Sequence, residues 1–214
     1  MKWSTAMIEY FMKYPNKIID PLLEHLSITI EVLLYSLVLA MLITLLIMNH
    51  KILSSVVVGF FSGFYCIPSL AVFALCIPFL GLGRQTVIVV LVVYNQFYLI
   101  RSFLTGIQNV DASVCEAAIG CGMTKMQLFW KVQFPLSLPA MIAGIRVATL
   151  STISIATIGA SINGGGLGVI LFDGMRTRNS VKILWGVVLA AILNLLMARL
   201  LMMLEQYSRR KIHM

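Results

Sequence analysis

The stretch EAAIGCGMTKMQLFWKVQFP, residues 116–135, is a polar, helix-breaking island in a chain that otherwise reads as membrane. A chain of 214 residues that is 60% hydrophobic and only 11% charged has lipid rather than water as its main solvent, and this excludes an ordinary water-soluble core. Mean hydropathy of +0.96 agrees. A membrane protein driven from outside the bilayer needs a docking surface in water, and this island is the candidate.

Uncharged runs surround it at 32–48, 52–83, 85–100, 147–172 and 183–198. A span needs about 20 mostly apolar residues, so the pattern predicts an all-α integral membrane protein with about five transmembrane helices and a helix-turn-helix loop. The second run would form a helix of roughly 48 Å, too long for a hydrocarbon layer of about 30 Å. Pro68, Pro78, Gly81 and Gly83 must break it, into one span with a short return loop at 78–83 or into two short helices that add a sixth crossing.

Residues 1–27 mix Lys2, Glu9, Lys13, Lys17, Asp20 and Glu24 with apolar residues and lack the compact apolar core of a cleavable signal peptide. Ile8, Phe11 and Met12 have the spacing of a short interfacial helix ending before Pro15; a loosely ordered leader is the alternative. With five spans, one side collects Lys51, Lys125, Lys131, Arg209, Arg210 and Lys211, and the other Lys2, Lys13, Lys17, Arg84, Arg176, Arg178 and Lys182. The compact tail Ser208-Arg209-Arg210-Lys211 abuts the last span and favours a cytoplasmic C-terminus. The net charge of +8 is assigned to anchoring at the lipid surface rather than to nucleic acid. Cys66, Cys76, Cys115 and Cys121 have no metal-site spacing.

The island holds two helix-start signals, Ser113-Val-Cys-Glu116 and Thr124-Lys-Met-Gln127, each fitting a capping box. Asp111 adds a carboxylate near the positive end of the first helix, Gly120 and Gly122 allow the chain to turn, and Pro135 is expected to stop the second helix. Leu128, Phe129, Trp130 and Phe134 would hold this bracket against the bundle, and Ala117 and Ala118 would leave a shallow face for a partner.

Glu116-Ala117-Ala118, then Gly122, then Val132-Gln-Phe-Pro135 resembles the EAA signature of bacterial binding-protein-dependent ABC importer permeases. Val132 and Phe134 stand where that signature prefers Ile and Leu. The likeness runs from about Glu24 to Glu205 and is closest to permeases for glycine betaine, carnitine and choline. Its landmarks are Ile67-Pro68-Ser69-Leu70, Ile77-Pro-Phe-Leu-Gly-Leu-Gly83, Arg101 with Thr105-Gly106-Ile107, Ala143-Gly-Ile-Arg146 and Gly164-Gly-Gly-Leu-Gly168. Tyr98, within Tyr94-Asn-Gln-Phe-Tyr98, departs from the proline that this subfamily carries late in its third span.

The resemblance implies a type I ABC importer transmembrane domain over 28–206, between the interfacial segment 1–27 and a basic tail, 207–214. It places the chain in the bacterial inner (cytoplasmic) membrane, with Glu116, Ala117, Ala118, Gly122 and Pro135 in a cytoplasmic coupling helix. It implies as partners a cytoplasmic ABC ATPase dimer, a second permease subunit (a copy or a relative) and an extracytoplasmic substrate-binding protein, for which this chain has too little extra sequence. It implies no cofactor on this chain, ATP and Mg being bound by the partner ATPase, and a passenger that is a quaternary ammonium osmoprotectant. A methionine-type permease for another small solute, such as an amino acid, shares the five-span core.

Independently of that likeness, Pro68 and Pro78 free backbone carbonyls, which are tolerated at membrane depth only where protein or a water-filled cavity covers them. Pro68, Tyr94, Tyr98 and Gly164, Gly165 and Gly166 are therefore the pathway or gate candidates; the glycines read as a flexible outer loop or as an ordinary solvated turn. Tyr65, Tyr94, Phe97, Tyr98 and Trp185 are candidate faces for a cationic passenger, or interfacial anchors. Arg146 and Arg101 are expected to snorkel or to brace the bracket rather than touch the passenger. Gly186, Ala190, Asn194 and Ala198 form a small-residue packing stripe, and Gly59 and Gly63 another.

The chain has no G-x-x-x-x-G-K-[ST] phosphate loop and not one Gly-Lys dipeptide, so the energy must come from a partner. An integral membrane enzyme is the rival reading. His25, His50 and His213 are scattered, and no H-E-x-x-H or paired-Asp cluster offers metal binding or acid–base chemistry, so no catalytic or metal residue is assigned.

Overall fold

The computed structural model describes residues 2–212, with side chains from Thr5 to Lys211. His213 and the last residues of the basic tail lie outside that range. Among the described residues ten α-helices follow in chain order: α1 Lys2–Lys13, α2 Asn16–Ile47, α3 Lys51–Tyr65, α4 Ser69–Leu80, α5 Arg84–Gln108, α6 Ala112–Gly120, α7 Lys125–Leu128, α8 Phe134–Gly159, α9 Gly168–Arg176 and α10 Ser180–Ile212. A π-helical turn, Phe129–Gln133, joins α7 to α8 without a break.

Among the described residues four continuous helices are long and apolar enough to cross a membrane, and α3 with α4, bent by 95°, pass the same test only together, as a broken span or a re-entrant loop that brings the number to four or five. The return-loop reading of the second run is corrected in its details. The break lies at Cys66–Pro68, while Pro78 sits inside α4. Gly81 and Gly83, both at positive φ, turn the chain into α5.

The fourth run, 147–172, also overstates its span. Helix α8 begins at Phe134 and ends at Gly159, and the remaining apolar residues belong to a buried loop and α9. Hydropathy alone does not separate lipid-facing residues from residues packed inside. The first span starts at Asn16, so half of the leader is the beginning of α2.

Helix α1 ends before Pro15, as its spacing predicts. Ile8 and Met12 are 63% and 77% exposed, while Phe11 packs on Trp185 with ring centroids 5.8 Å apart. The Trp185 indole donates to the Met7 carbonyl at 3.1 Å, pinning α1 to the start of α10. Trp185 is thus an anchor for α1, away from the other aromatic candidates.

Helices α2 and α5 run parallel. At one end Arg84 pairs with Glu31 at 2.7 Å and donates to the Ser27 hydroxyl at 2.8 Å. At the other end Ile47 shares a buried cluster with Leu104 and Ile107. Helix α8 runs antiparallel to both. It approaches α5 so closely that a Cβ on Gly144 would lie 2.4 Å from that of Ser102.

Midway along α5 a polar clasp ties the three helices together. Asn95 donates to the Thr152 hydroxyl at 2.9 Å and to the Ser36 hydroxyl at 3.2 Å, and Thr152 in turn donates to the Ala148 carbonyl at 2.8 Å. Neighbouring Gln96 donates to the Val92 carbonyl at 2.8 Å. All of these side chains are buried. Interhelical bonds of this kind contribute about 0.6 kcal/mol on average and up to about 1.7 kcal/mol.

Asn95→Ala is therefore expected to lower stability in mild detergent by about 1 kcal/mol, and a double-mutant cycle with Thr152→Val should return a coupling of about 0.6 kcal/mol. A coupling of zero would mean that the clasp holds nothing together.

Candidate coupling bracket and pathway

The polar island forms a bracket between the end of α5 and the start of α8. Asp111 caps α6, its carboxylate accepting from the Ser113 N–H at 2.9 Å and the Ser113 hydroxyl at 2.8 Å. The expected Ser113-to-Glu116 capping box is thereby corrected: the helix starts earlier, and Ser113 donates to the cap instead of serving as it. Those two bonds hold the Asp111 carboxyl below the usual carboxylate range. The cap's contribution is present above the unfolded-state pKa and is lost as pH falls through the depressed folded one.

The second capping box is present as read. Thr124 accepts from the Gln127 N–H, and the Gln127 side chain accepts from the Thr124 N–H. Between the two helices, the Gly122 N–H donates to the Ile119 carbonyl at 2.8 Å and the Met123 N–H to the Ala118 carbonyl at 3.2 Å. This pair of bonds is a Schellman motif, which needs a left-handed residue at its turn. Gly122 supplies it at φ 82°.

Pro135 does not stop the second helix, contrary to the expectation. It lies in the first turn of α8, where a missing N–H is tolerated. The π-helical turn before it widens the ladder, with the Phe134 N–H reaching the Phe129 carbonyl. The bracket and the fourth span are consequently one rod, Lys125–Ile162, of 38 residues.

Alternate faces of the bracket point opposite ways. Ala118 is buried on the side where α6 meets α7 and the π-helical turn, whereas Glu116, Ala117 and Gly122 are exposed. The exposed shallow face expected of both alanines is therefore carried by Ala117 beside Glu116 alone. Phe129 is 3% exposed and belongs to the cluster of Phe103, Leu104 and Ile107, with Phe134 packed beside it. Trp130, at 50% exposure, stands mostly in the open. Gln133 reaches Cys115 at 4.0 Å and links the π turn to α6.

The pathway candidates separate into two groups. At the break in the second span the chain turns away and the Ala71 N–H goes to the Pro68 carbonyl at 2.9 Å, so the Ile67 carbonyl is left without a helical partner. The Tyr94 hydroxyl donates to it at 2.5 Å. Tyr65 stacks on Phe97 with centroids 4.9 Å apart and meets Tyr94 and Tyr98 edge-on at 5.7 Å and 5.1 Å. The Tyr98 hydroxyl donates to that of Tyr65. Tyr98 lies on an α5 that continues unbroken through the position, replacing a proline bend with an aromatic contact. Tyr65, Phe97 and Tyr98 are half-buried, and Pro68 is exposed.

Gly164, Gly165 and Gly166 lie at the opposite end of α8 and are packed rather than solvated. The Gly166 N–H donates to the Glu24 carboxylate at 2.8 Å, and the Leu167 N–H to His25 Nδ1 at 3.3 Å. A Cβ on Gly165 would come within 2.2 Å of Glu24 Oε1. The loop is a tight clamp against α2, which corrects the alternative of an ordinary solvated turn.

Sequence reading missed Glu24 and His25 as the clamp's partners and Asn95 as the mid-bundle clasp. Asn95 and Gln96 were visible as polar residues inside an apolar run, which is the signal for a buried functional or structural group.

Arg146 neither snorkels nor touches the bracket. It meets Glu205 of α10 at 3.3 Å, and Glu205 also holds Arg209 at 3.0 Å. The C-terminal end of α10 is thus on the bracket side of the bundle. Gly186 of the small-residue stripe packs on Leu171, whereas nothing in the chain lies within 4 Å of a Cβ placed on Gly59 or Gly63.

Comparison with known proteins agrees with this architecture. The glycine betaine/carnitine/choline transport system permease protein OpuCB of Bacillus subtilis is 33% identical over 183 residues, covering 86% of this chain and 84% of that one. The ergothioneine transport permease/ergothioneine binding protein EgtU of Helicobacter pylori is 39% identical over 132 residues, which are 62% of this chain and 24% of that longer protein. Among solved structures, the membrane subunit of the inward-facing MetNI methionine ABC transporter superposes with a TM-score of 0.81 at 21% identity, covering 89% of this chain and 95% of that one, and so shares the fold. Residues 11–214 match the sequence profile of the binding-protein-dependent transport system inner membrane components, and with the bracket and the bundle of apolar helices in place the chain belongs to that family of multi-pass permease subunits.

Proposed function

We propose that this chain and a second permease subunit form the membrane pathway of an ATP-driven importer for trimethylammonium solutes such as glycine betaine, carnitine or choline. The observation that carries the passenger class is the aromatic group Tyr65, Tyr94, Phe97 and Tyr98 at the break in the second span. It sits halfway along α5, and broken helices near the bilayer midplane are where transporters place their passengers. The π faces of these rings attract a quaternary ammonium by about 0.5–2 kcal/mol per contact. The passengers named for the two relatives, ergothioneine included, share the trimethylammonium group.

Orientation follows from charge and resemblance. The two ends carry nearly equal numbers of cations, but the compact run Arg209-Arg210-Lys211 directly after the last span, together with the resemblance of the bracket to a coupling helix, supports a bracket end and a C-terminus that face the cytoplasm. There the exposed strip Glu116–Ala117, set at its angle by Gly122, docks on a cytoplasmic ATPase that binds ATP and Mg. The chain itself carries no catalytic residue; its work is to turn the ATPase's closure into reorientation of the spans. An extracytoplasmic binding protein delivers the passenger to the opposite face.

Two experiments test these assignments. An L-residue forced into the left-handed region costs about 1–2 kcal/mol, except that Asn adopts it readily. In chain purified with its native partners, Gly122→Val should lose most of the co-purifying ATPase while Gly122→Asn keeps it; equal recovery with both variants, at unchanged thermal stability, would remove the bracket from the docking role. In proteoliposomes of the whole complex at saturating glycine betaine, Phe97→Ala should slow uptake several-fold and Phe97→Tyr should restore it. Uptake by Phe97→Ala at the wild-type rate would place the passenger elsewhere.

A further inference from the structure

A cleft of about 670 Å³ opens at the bracket end of the bundle, between the end of α2, the first turns of α3 and the last turns of α5. Arg101, Lys51, Asn49, Ser55, Thr105 and Gln108 give it its polar lining, and no acidic residue borders it. Both cations are exposed. Among the described residues the ion pairs engage Arg84, Arg146, Arg176, Lys182 and Arg209, and neither Arg101 nor Lys51 has a carboxylate within reach. Two unopposed positive charges, with hydroxyl and amide groups between them, form a receptor for an anion.

The surroundings decide which anion. Beside the cleft, Ile52 and Val56 of α3 are 84% and 61% exposed, and Leu46 of α2 is 74% exposed. Farther along α3, Gly59 and Gly63 leave open space next to Phe60, which is 65% exposed. An exposed apolar stripe on the outside of α3 thus lies next to the basic cleft. That is the shape of a phospholipid, with a phosphate in the cleft and an acyl chain on the helix. Its charge excludes the trimethylammonium passenger.

We infer that this cleft is a binding site for the anionic headgroup of a phospholipid in the bracket-side leaflet, with Arg101 and Lys51 as its phosphate contacts. The inference rests on the membrane placement proposed above and is independent of passenger and ATPase. A bound headgroup bridges the start of α3 and the last turns of α5, one turn before Asp111, so it steadies the stem from which the bracket hangs. Basic pockets between transmembrane helices on the cytoplasmic side commonly take anionic headgroups, and each cation near the surface adds about a factor of five in affinity.

The test is native mass spectrometry of the purified chain in detergent, titrated with dioleoyl phosphatidylglycerol or dioleoyl phosphatidylcholine. Wild type should hold the phosphatidylglycerol at least tenfold more tightly, and the double variant Arg101→Gln/Lys51→Gln should lose that preference. Lys125→Gln, which removes a bracket cation outside the cleft, should retain it. Equal thermal melting of the variants guards against misfolding as the cause. A wild type without preference, or a double variant that still prefers phosphatidylglycerol, would overturn the site. Displacement of the lipid by millimolar inorganic phosphate would overturn it too, by showing a receptor for a soluble anion.

Discussion

A carbonyl or N–H left unpaired at membrane depth costs several kcal/mol, and this chain interrupts its helices only where something closes the gap. The Ile67 carbonyl, orphaned at the bend before Pro68, is taken by Tyr94. The N–H groups of Gly166 and Leu167, beyond the end of α8, are taken by Glu24 and His25. Pro135 is absorbed by a π-helical turn, and α6 ends in a Schellman pair of bonds. Each break therefore fixes a direction of the chain, and together they set where the bracket, the aromatic group and the clamp lie.

Helix α5 is the column on which these solutions meet. One face carries Asn95, joining α2 and α8. A neighbouring face carries Tyr94, Phe97 and Tyr98, meeting the broken span. Its last turns pack on Phe129 and so seat the bracket. Polar side chains placed at the midpoint of a span are expensive to keep in lipid. Here that cost is offset by bonds between helices and by burial, which leaves a rigid wall beside a bend whose carbonyls and proline are partly open.

Features governed by local chemistry were legible in the sequence. Thr124 with Gln127, the turn at Gly122 and the end of α1 before Pro15 depend on neighbouring residues, and they came out as read. Features decided by distant partners were not. Pro135 looked like a terminator because a proline's effect depends on whether the preceding turn can widen. The Gly164–Gly166 stretch looked loose because its partners, Glu24 and His25, lie 142 residues earlier. Val147 to Phe172 read as one span because buried and lipid-facing apolar residues have the same hydropathy. Arg146 gave a correct alarm about a charge in an apolar run, but its answer, Glu205, required the antiparallel approach of α10.

The continuity of Lys125–Ile162 bears most directly on how the proposed importer works. At 1.5 Å per residue, 38 helical residues make a rod of about 57 Å, longer than the bilayer is thick. One end is the second arm of the bracket, and the other is the turn gripped by Glu24 and His25. Had Pro135 ended the helix, a flexible joint would separate docking surface from span, and a push on the bracket would dissipate in that joint. Because the π turn carries the helix through, Thr124 and the clamp are joined by one helix that passes the Asn95–Thr152 contact, and in the proposed importer a tilt imposed at Thr124 would be delivered along it. The same proline that marks the end of the signature motif thus leaves the lever intact, and the turn preceding it is what makes that possible.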